Sequence, residues 1–176
     1  MSLAEPGQIG FYRSPDLKSW RFSGSFQNAS LGTLECPNLF ALPLYGPDGK
    51  IIGSQWILWC GANGTTSGFT TGTRYWVGVF DGSRFEADES SGAWLDGGPD
   101  FYAATAFGER SADPAKPTFA VAWMNNWNYA DAVQRQGYIA QLSLVRQLRL
   151  QLVDGRPLLR NWPVDWWRGL PDTARI

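Results

Sequence analysis

The recurrence of short segments with β-strand character, separated by turn sequences, limits the fold of this chain more than any other feature. Nine segments are rich in β-branched and aromatic residues: 9–14, 21–26, 38–44, 55–62, 75–80, 100–107, 119–124, 138–152 and 157–162. Gly, Pro and Asp are concentrated between them, where they favour tight turns. The segment 142–152 fits alternation better than a helical period. The pattern predicts an all-β chain.

Tight turns between successive strands predict antiparallel pairing. In the segment 77–85, Asp81 and Gly82 are expected to form a two-residue hairpin turn, because both tolerate the positive φ that such turns require. Sandwich, barrel and propeller folds all fit this pattern, and a repeat of about four strands per unit would favour the propeller. The sequence can be divided in that way, into 38–88 and 100–162.

The absence of histidine among the 176 residues restricts the possible chemistry. It excludes Ser-His-Asp and Cys-His catalysis and histidine-ligated metals. Cys36 and Cys60 lack the spacing of zinc or redox sites, and two cysteines are too few for a disulfide framework. We therefore expect no metal, and any catalysis by this chain would use carboxylates.

Charge and hydropathy argue against two classes of partner. The net charge is −1, which provides no basic surface for a phosphate backbone. The longest apolar run, around 56–60, is much shorter than a helix that crosses a bilayer. We expect neither nucleic acid nor a membrane as a partner.

Glu35 stands at the start of an apolar run, a position where most acids are solvated surface groups. The sequence from Glu35 to Phe40, Glu-Cys-Pro-Asn-Leu-Phe, nevertheless resembles the acid/base motif of glycoside hydrolase family 32, which contains invertases, levanases and inulinases. Four further stretches resemble this family and occur in the family's order: 9–20, 75–82, 95–104 and 123–130. From these five stretches the chain is identified as a member of family 32.

This resemblance implies a partial five-bladed β-propeller built of antiparallel four-stranded blades. Residues 1–176 would form a single partial domain that contains the end of blade three and blades four and five, without the β-sandwich module that commonly follows. Trp56, Trp59 and Trp76 are then expected to pack between blades.

The resemblance also implies a reaction, the hydrolysis of β-fructofuranosyl linkages in fructan or sucrose with retention of configuration, and this reaction is expected to need no cofactor. Retention requires two carboxyls roughly 5 to 5.5 Å apart, one a nucleophile and the other a proton donor. Glu35 corresponds to the proton donor. Because this donor must hold a proton when substrate binds, we expect its side chain to be buried near a like charge.

Five further residues correspond to positions beside the bound sugar. Cys36 follows the acid/base residue, with ordinary packing of a buried thiol as the alternative. Asp100 and Tyr102 correspond to positions near the fructose, and capping of the preceding Gly-Gly-Pro turn is the alternative for Asp100. Trp123 and Trp127 correspond to aromatic rings that cover the sugar.

Two other carboxylates of the family have no counterpart in these 176 residues. The nucleophile belongs to a Trp-Met-Asn-Asp-Pro-Asn-Gly type of motif upstream of the acid/base residue, whereas Trp123 to Asn126 has Asn in place of the acid and follows Glu35. The stabilising Asp of an Arg-Asp-Pro motif is also missing, since Asp113 follows alanine. We therefore expect no hydrolysis by this chain alone.

The alternative function is a non-catalytic carbohydrate-binding or assembly fragment. In either case the expected ligand is a fructose-containing oligosaccharide or polysaccharide. A second copy, or a chain that supplies the missing blades, is expected to cover sheet faces that would otherwise be exposed. The resemblance favours an extracellular location, with the cytoplasm as the alternative.

Overall fold

The computed structural model describes residues 2–5, 7–63, 71–88, 91–108, 112–113, 116–133, 137 and 140–165. These residues form β-strands and two short 3-10 turns, Ala29–Leu31 and Ala130–Ala132. The strands are β1 (Ser2–Glu5), β2 (Gln8–Arg13), β3 (Arg21–Gln27), β4 (Glu35–Tyr45), β5 (Ile51–Asn63), β6 (Thr71–Phe80), β7 (Phe85–Ala87), β8 (Ala93–Trp94), β9 (Tyr102–Gly108), β10 (Thr118–Trp123), β11 (Arg146–Val153) and β12 (Arg156–Pro163).

The strands form three antiparallel meanders in chain order. We call the first meander, β1 to β3, the first sheet; the second, β4 to β7 with β8 paired to β6, the middle sheet; and the last, β9 to β12, the third sheet, although hydrogen bonds join the last two into one continuous sheet. A short parallel pairing of Leu150 and Gln151 with Leu44 and Tyr45 links the third sheet to the middle one. The all-β prediction with antiparallel four-stranded units is confirmed.

The middle sheet is buried on both faces. In β5, Ile57 and Trp59 belong to an apolar cluster shared with the third sheet. Leu58 and Cys60, which alternate with them, belong to a second cluster shared with the first sheet. This double burial explains the continuous apolar run around 56–60, because neither face of the strand needs polar residues.

The tryptophans predicted to pack between blades do so. Trp59 has its ring centroid 5.0 Å from that of Phe40 in the cluster between the middle and third sheets. Trp76 lies 4.7 Å from the ring of Phe26 in the first sheet. Trp56 packs on the same side of the middle sheet as Trp76.

A polar network, here called the Arg146 network, also joins the middle and third sheets. The Arg146 guanidinium pairs with the Asp96 carboxylate and lies 4.1 Å from the centre of the Phe101 ring. Its Nη1 donates to Oδ1 of Asn161 at 2.6 Å, and the Asn161 amide donates to the Leu95 carbonyl at 2.6 Å. The network therefore ties the outermost strand of the third sheet to the segment that follows β8.

The prediction of one strand over 138–152 is wrong in extent, because β11 begins only at Arg146. Ser143 interrupts the pattern: its N–H donates to the Ala122 carbonyl at 2.8 Å, while its hydroxyl accepts the Ala122 N–H at 3.1 Å. A side chain thus replaces part of the strand ladder. Tyr138 and Ile139 lie outside the described residues.

The predicted two-residue turn at Asp81 and Gly82 is also wrong, although the hairpin exists. Phe80 pairs with Phe85, so the loop has the four residues 81–84. Oδ1 of Asp81 accepts backbone N–H groups from Ser83 at 2.6 Å and from Arg84 at 2.8 Å. This side-chain turn explains the longer loop, since aspartate can satisfy the backbone without a tight primed turn.

Candidate active site

Two residues that begin strands meet at one edge of the stacked sheets, because Glu35 starts β4 and Tyr102 starts β9. The Tyr102 hydroxyl donates a hydrogen bond to Oε2 of Glu35, and we call this bond the mouth contact. Tyr102 is 4% exposed, whereas Glu35 is exposed. Burial, and then the hydrogen bond to Glu35, raises the pKa of Tyr102, which therefore remains a neutral donor.

A β-bulge directly after Glu35 redirects the start of β4. Glu35 pairs with Gly61 of β5. The next pair joins Asn38 to Trp59, so two residues of β4 oppose one residue of β5 between these pairs. The first of the two, Cys36, has a left-handed backbone with φ of 48°. Bulges of this kind re-aim neighbouring side chains, which places Glu35 at the open edge of the sheet.

Cys36 presents its side chain at the same edge as Glu35 and is exposed. Partial burial of the thiol, and then the negative charge of Glu35, raise the pKa of Cys36. Cys60 is fully buried, and burial raises its pKa to about 12. The alternative of ordinary core packing therefore fits Cys60 and not Cys36. A contact between Cys36 and a sugar stays a prediction.

Gly61 provides the space through which Tyr102 reaches Glu35. A Cβ atom at Gly61 would lie 2.9 Å from Cε2 and 3.0 Å from Cζ of the Tyr102 ring. Real Cβ atoms essentially never approach other atoms that closely. The ring therefore crosses the β5 backbone at a position where any side chain would displace it.

Aromatic rings continue from Tyr102 toward solvent. The Tyr102 and Trp123 rings meet edge to face with centroids 6.5 Å apart. The Trp123 and Trp127 rings are 5.0 Å apart and tilted by 60°. Trp127 is 62% exposed. The structure thus brings Glu35, Tyr102, Trp123 and Trp127 into one continuous arrangement.

Asp100 is bound by a residue that the sequence reasoning did not select. The Tyr129 hydroxyl donates a hydrogen bond to Oδ1 of Asp100. This bond raises the pKa of Tyr129 to about 12. The alternative role of Asp100 as a cap of the preceding turn belongs instead to Asp96, whose Oδ1 accepts the Gly98 N–H at 2.7 Å. Tyr129 lies within the family-like stretch 123–130, which was the available signal.

Asn126 holds the loop that carries Trp127 and Tyr129. It is fully buried, and its Nδ2 donates to the Pro99 carbonyl at 2.9 Å and to the Thr71 carbonyl at 3.2 Å. Its Oδ1 accepts the N–H of Asn128 at 3.0 Å. The amide therefore fixes the loop against the segment that precedes Asp100.

The described part of the chain contains neither a metal-binding cluster nor a membrane-spanning helix. Among the residues that the structure places, no three His, Cys, Asp or Glu side chains converge in a way that could hold a metal ion. Within the same residues, no helix is long and apolar enough to cross a bilayer.

Comparison with protein families gives a match over almost the whole chain. The family model described as the glycosyl hydrolases family 32 N-terminal domain matches residues 2–163. The chain belongs to glycosyl hydrolase family 32. The resemblance of the five stretches is thereby confirmed.

Curated family 32 relatives are considerably longer than this chain. A levanbiose-producing levanase of Bacillus subtilis is 38% identical over 168 residues, which cover 94% of this chain and 32% of the levanase. An extracellular exo-inulinase of Aspergillus niger is 33% identical over 180 residues, which cover 96% of this chain and 32% of the inulinase. The chain thus spans about a third of the length of these relatives.

Solved structures of family 32 proteins have the same fold. The exo-inulinase of Aspergillus awamori superposes with a TM-score of 0.81 at 27% identity, over 98% of this chain and 34% of the inulinase. A fructofuranosidase of Schwanniomyces occidentalis in complex with fructose superposes with a TM-score of 0.78 at 27% identity, over 97% of this chain and 32% of that protein. These relatives agree with the assignment of the three meanders to a partial propeller.

One geometric expectation for the family 32 acid/base residue is not met. Glu35 was expected to be buried, but it is exposed because it is the first residue of β4, at the open edge of the sheet. Among the described groups, the Tyr102 hydroxyl is the one that bonds to its carboxylate. The arrangement supplies one carboxyl that can exchange a proton with a ligand at the sheet edge, beside an aromatic surface that can cover a sugar.

Proposed function

We propose that this chain supplies the proton-transfer side of a β-fructosidase active site, with Glu35 as general acid and base. The substrate would be fructan or sucrose. The observation that carries the proposal is the mouth contact: an exposed carboxyl is held by a buried tyrosine, whose ring contacts Trp123, which in turn contacts the exposed Trp127 ring. A proton donor must reach the leaving oxygen and be fixed in direction, and this arrangement meets both requirements.

In the proposed reaction, the Tyr102 hydroxyl holds Oε2 of Glu35 and leaves Oε1 for proton transfer. Glu35 gives its proton to the glycosidic oxygen as the bond from that oxygen to the fructosyl carbon breaks, while an attacking carboxylate forms a new bond to the same carbon. The same carboxylate then takes a proton from the water that hydrolyses the fructosyl intermediate. Tyr102 acts through Glu35 and is a positioning residue in this scheme.

We infer that the attacking carboxylate comes from polypeptide outside these 176 residues, which contain no match to the nucleophile motif. The first, middle and third sheets would then be the end of blade three, blade four and blade five. A retaining mechanism needs both carboxyls, so the complete site would form only when the other blades are present.

The sugar would lie against Trp123 and Trp127, with Asp100 and Cys36 at its hydroxyl groups. Aromatic faces cover the apolar C–H surface of sugars, while carboxylates accept hydrogen bonds from hydroxyls. An extracellular location is proposed because a relative of this chain is named an extracellular exo-inulinase.

The third sheet has an exposed apolar face. We propose that further blades of the propeller pack on this face or, when they are absent, that a second copy of the chain does. Phe107, Leu144 and Val164 line an open groove of about 680 Å³. Phe107 is 39% exposed and Leu144 is 49% exposed. Sizing with light scattering is expected to show an assembly larger than one chain, and a monodisperse monomer would count against this proposal.

The decisive experiment combines this chain with a second chain that carries the remaining blades of a family 32 propeller. The pair is expected to release fructose from sucrose, inulin or levan, and Glu35→Gln should reduce the rate by about 10² to 10⁴. Glu86→Gln is the matched control, since Glu86 is an exposed acid paired with Arg84 on the surface. Equal activity of the Glu35 variant and its control would disprove the catalytic role.

A second candidate function, sugar binding without turnover, is favoured by one observation. The surface formed by Trp123, Trp127, Asp100 and Tyr129 belongs entirely to this chain, whereas the second carboxylate does not. Calorimetric titration with fructose and short fructans should detect binding by this chain alone if that function is correct. Sugar binding without turnover would be identified by two results together: Glu35→Gln leaves the binding intact, and the two-chain mixture shows no turnover.

A further inference from the structure

Asn38 is a buried amide three residues after Glu35, and it bonds to both strands that form the mouth contact. Its Nδ2 donates to the Cys36 carbonyl at 2.9 Å, on its own strand β4. The same nitrogen donates to the Ala104 carbonyl of β9 at 3.3 Å. Its Oδ1 accepts the N–H of Ala106, also in β9, at 3.0 Å.

These bonds act on the backbone one residue after Glu35 and two and four residues after Tyr102. Cys36 follows Glu35 and has a φ of 48°, while Ala103 follows Tyr102 and has a φ of 50°. Residues with a Cβ seldom adopt this left-handed conformation, and they keep it only where surrounding structure holds them. Asn38 bonds to the Cys36 carbonyl on one side and to the residue after Ala103 on the other.

One of the three bonds is not needed to satisfy the group that it reaches. The Ala104 carbonyl already accepts the Trp59 Nε1–H at 3.0 Å, so it has a partner without Asn38. The bonds that Asn38 adds are to Cys36 on β4 and to Ala106 on β9. One rigid amide therefore sets the spacing between the two strands at the level where Glu35 meets Tyr102.

We propose that Asn38 is a positioning residue that holds Glu35 and Tyr102 in hydrogen-bonding register. This inference rests on the proposed function of Glu35 as acid and base. Without the amide, β4 and β9 still pack through their apolar faces, but left-handed Cys36 and the neighbour of left-handed Ala103 each lose a bond that restrains them. The mouth contact then loosens and Glu35 loses its fixed direction.

Carbon-13 NMR of the full 176-residue chain tests the inference, with the Glu carboxyl and Tyr Cζ carbons labelled. In the unmodified chain, the Tyr102 signal is expected to shift with the same midpoint as the Glu35 carboxyl titration, because one hydrogen bond joins the two groups. If the unmodified chain shows no such shift, the mouth contact itself is refuted and the inference with it.

Asn38→Leu should abolish the Tyr102 response to Glu35 ionisation while the chain stays folded. Asn38→Asp provides a second variant with the same expected result. It keeps the side-chain shape and the oxygen that accepts the Ala106 N–H, but it replaces the nitrogen that donates to Cys36 and Ala104 with a second oxygen. Asn161→Leu is the matched control, because Asn161 also joins two sheets through its amide, as part of the Arg146 network. A Tyr102 response that persists in a folded Asn38 variant would overturn the inference.

If both Asn38 variants unfold, hydrogen exchange of the unmodified chain decides. The side-chain amide protons of Asn38 are expected to exchange more slowly than those of Asn128, whose side chain is exposed. Equal exchange rates would show that the amide is not held between the strands. The two-chain hydrolysis experiment tests the proposed function separately, since failure there leaves the NMR response unchanged.

Discussion

The mouth contact and the Arg146 network both join the middle and third sheets. Asn38 bridges the two sheets near the mouth contact, and Asn161 bridges them within the Arg146 network. In the Arg146 network, the charges of Arg146 and Asp96 neutralise each other, and their side chains are only 21% and 23% exposed. At the mouth contact, one carboxylate stays exposed. Left-handed residues follow both of its partners, and none lies within the Arg146 network.

This difference separates two uses of the same type of polar bridge. A largely buried pair of opposite charges leaves no charge free to react, and removal of either partner destabilises the interface because the other charge is left uncompensated. A carboxylate that is held by a neutral donor and open on its other side remains available to a ligand. We therefore expect changes in the Arg146 network to alter stability, and changes at the mouth contact to alter the state of Glu35 and its neighbours.

The largest effect is expected from Arg146→Ala, which leaves the Asp96 carboxylate without its partner. The free energy of unfolding should fall by about 3 kcal/mol, as measured by urea denaturation. Arg84→Ala is the control, because its ion pair with Glu86 is exposed and should be worth less than about 1 kcal/mol. The comparison between the two contacts breaks down if both variants lose the same stability, or if Arg146→Ala changes the Tyr102 response to Glu35.

Gly61→Ala should lower the free energy of unfolding by about 2 kcal/mol, because the new methyl group overlaps the Tyr102 ring. It should also remove the Tyr102 response to Glu35 ionisation. Gly53→Ala in the same strand is the control, since a Cβ there has no atom within 4 Å. If Gly61→Ala behaves like Gly53→Ala in both measurements, the ring does not lie across the strand as described.

Asp100→Asn tests the second polar pair near the mouth contact. The carboxylate of Asp100 accepts a hydrogen bond from the Tyr129 hydroxyl and raises the pKa of that hydroxyl to about 12. The negative charge of Asp100 favours the protonated form of the Tyr129 hydroxyl. Once that charge is removed, the pKa of Tyr129 should fall toward the ordinary value of about 10. Absorbance titration of the phenolate, with Tyr129→Phe to assign the signal, measures the change, and an unmoved pKa would contradict the bond.

The smallest effect is expected at Cys36. Its raised pKa has the charge of Glu35 as a secondary cause after burial, so Glu35→Gln should lower the pKa of the thiol. Alkylation by iodoacetamide should then begin at lower pH than in the unmodified chain. Glu86→Gln should leave the alkylation profile unchanged, and an equal shift in both variants would refute the proximity of Glu35 and Cys36.

Much of the fold could be predicted from local sequence. Turn residues between the strand-like segments indicated antiparallel pairing, and β4 pairs with β5, and β5 with β6, in that way. The errors arose where a side chain bonds to the backbone: Asp81 lengthens a hairpin loop, and Ser143 delays the start of β11. Such bonds compete with regular strand pairing, and periodicity does not report them.

The candidate site was predictable only in part. The motif around Glu35 identified the family, but the positions of its sugar-binding residues remain predictions. The contributions of Asn38, Gly61 and Tyr129 were missed, because each depends on a partner from another part of the chain. An asparagine or glycine in a strand gives no local sign of the ring or carbonyl that it will meet after folding.

The sequence separation across the mouth contact has a consequence for how the chain folds. Glu35 and Tyr102 are 67 positions apart, whereas each meander closes through pairing of consecutive strands. Contacts between distant positions cost more loop entropy and tend to form slowly. We therefore expect the individual sheets to assemble first and this bond to form near the end of folding, so that a reactive carboxylate is fixed only in molecules whose assembly is complete.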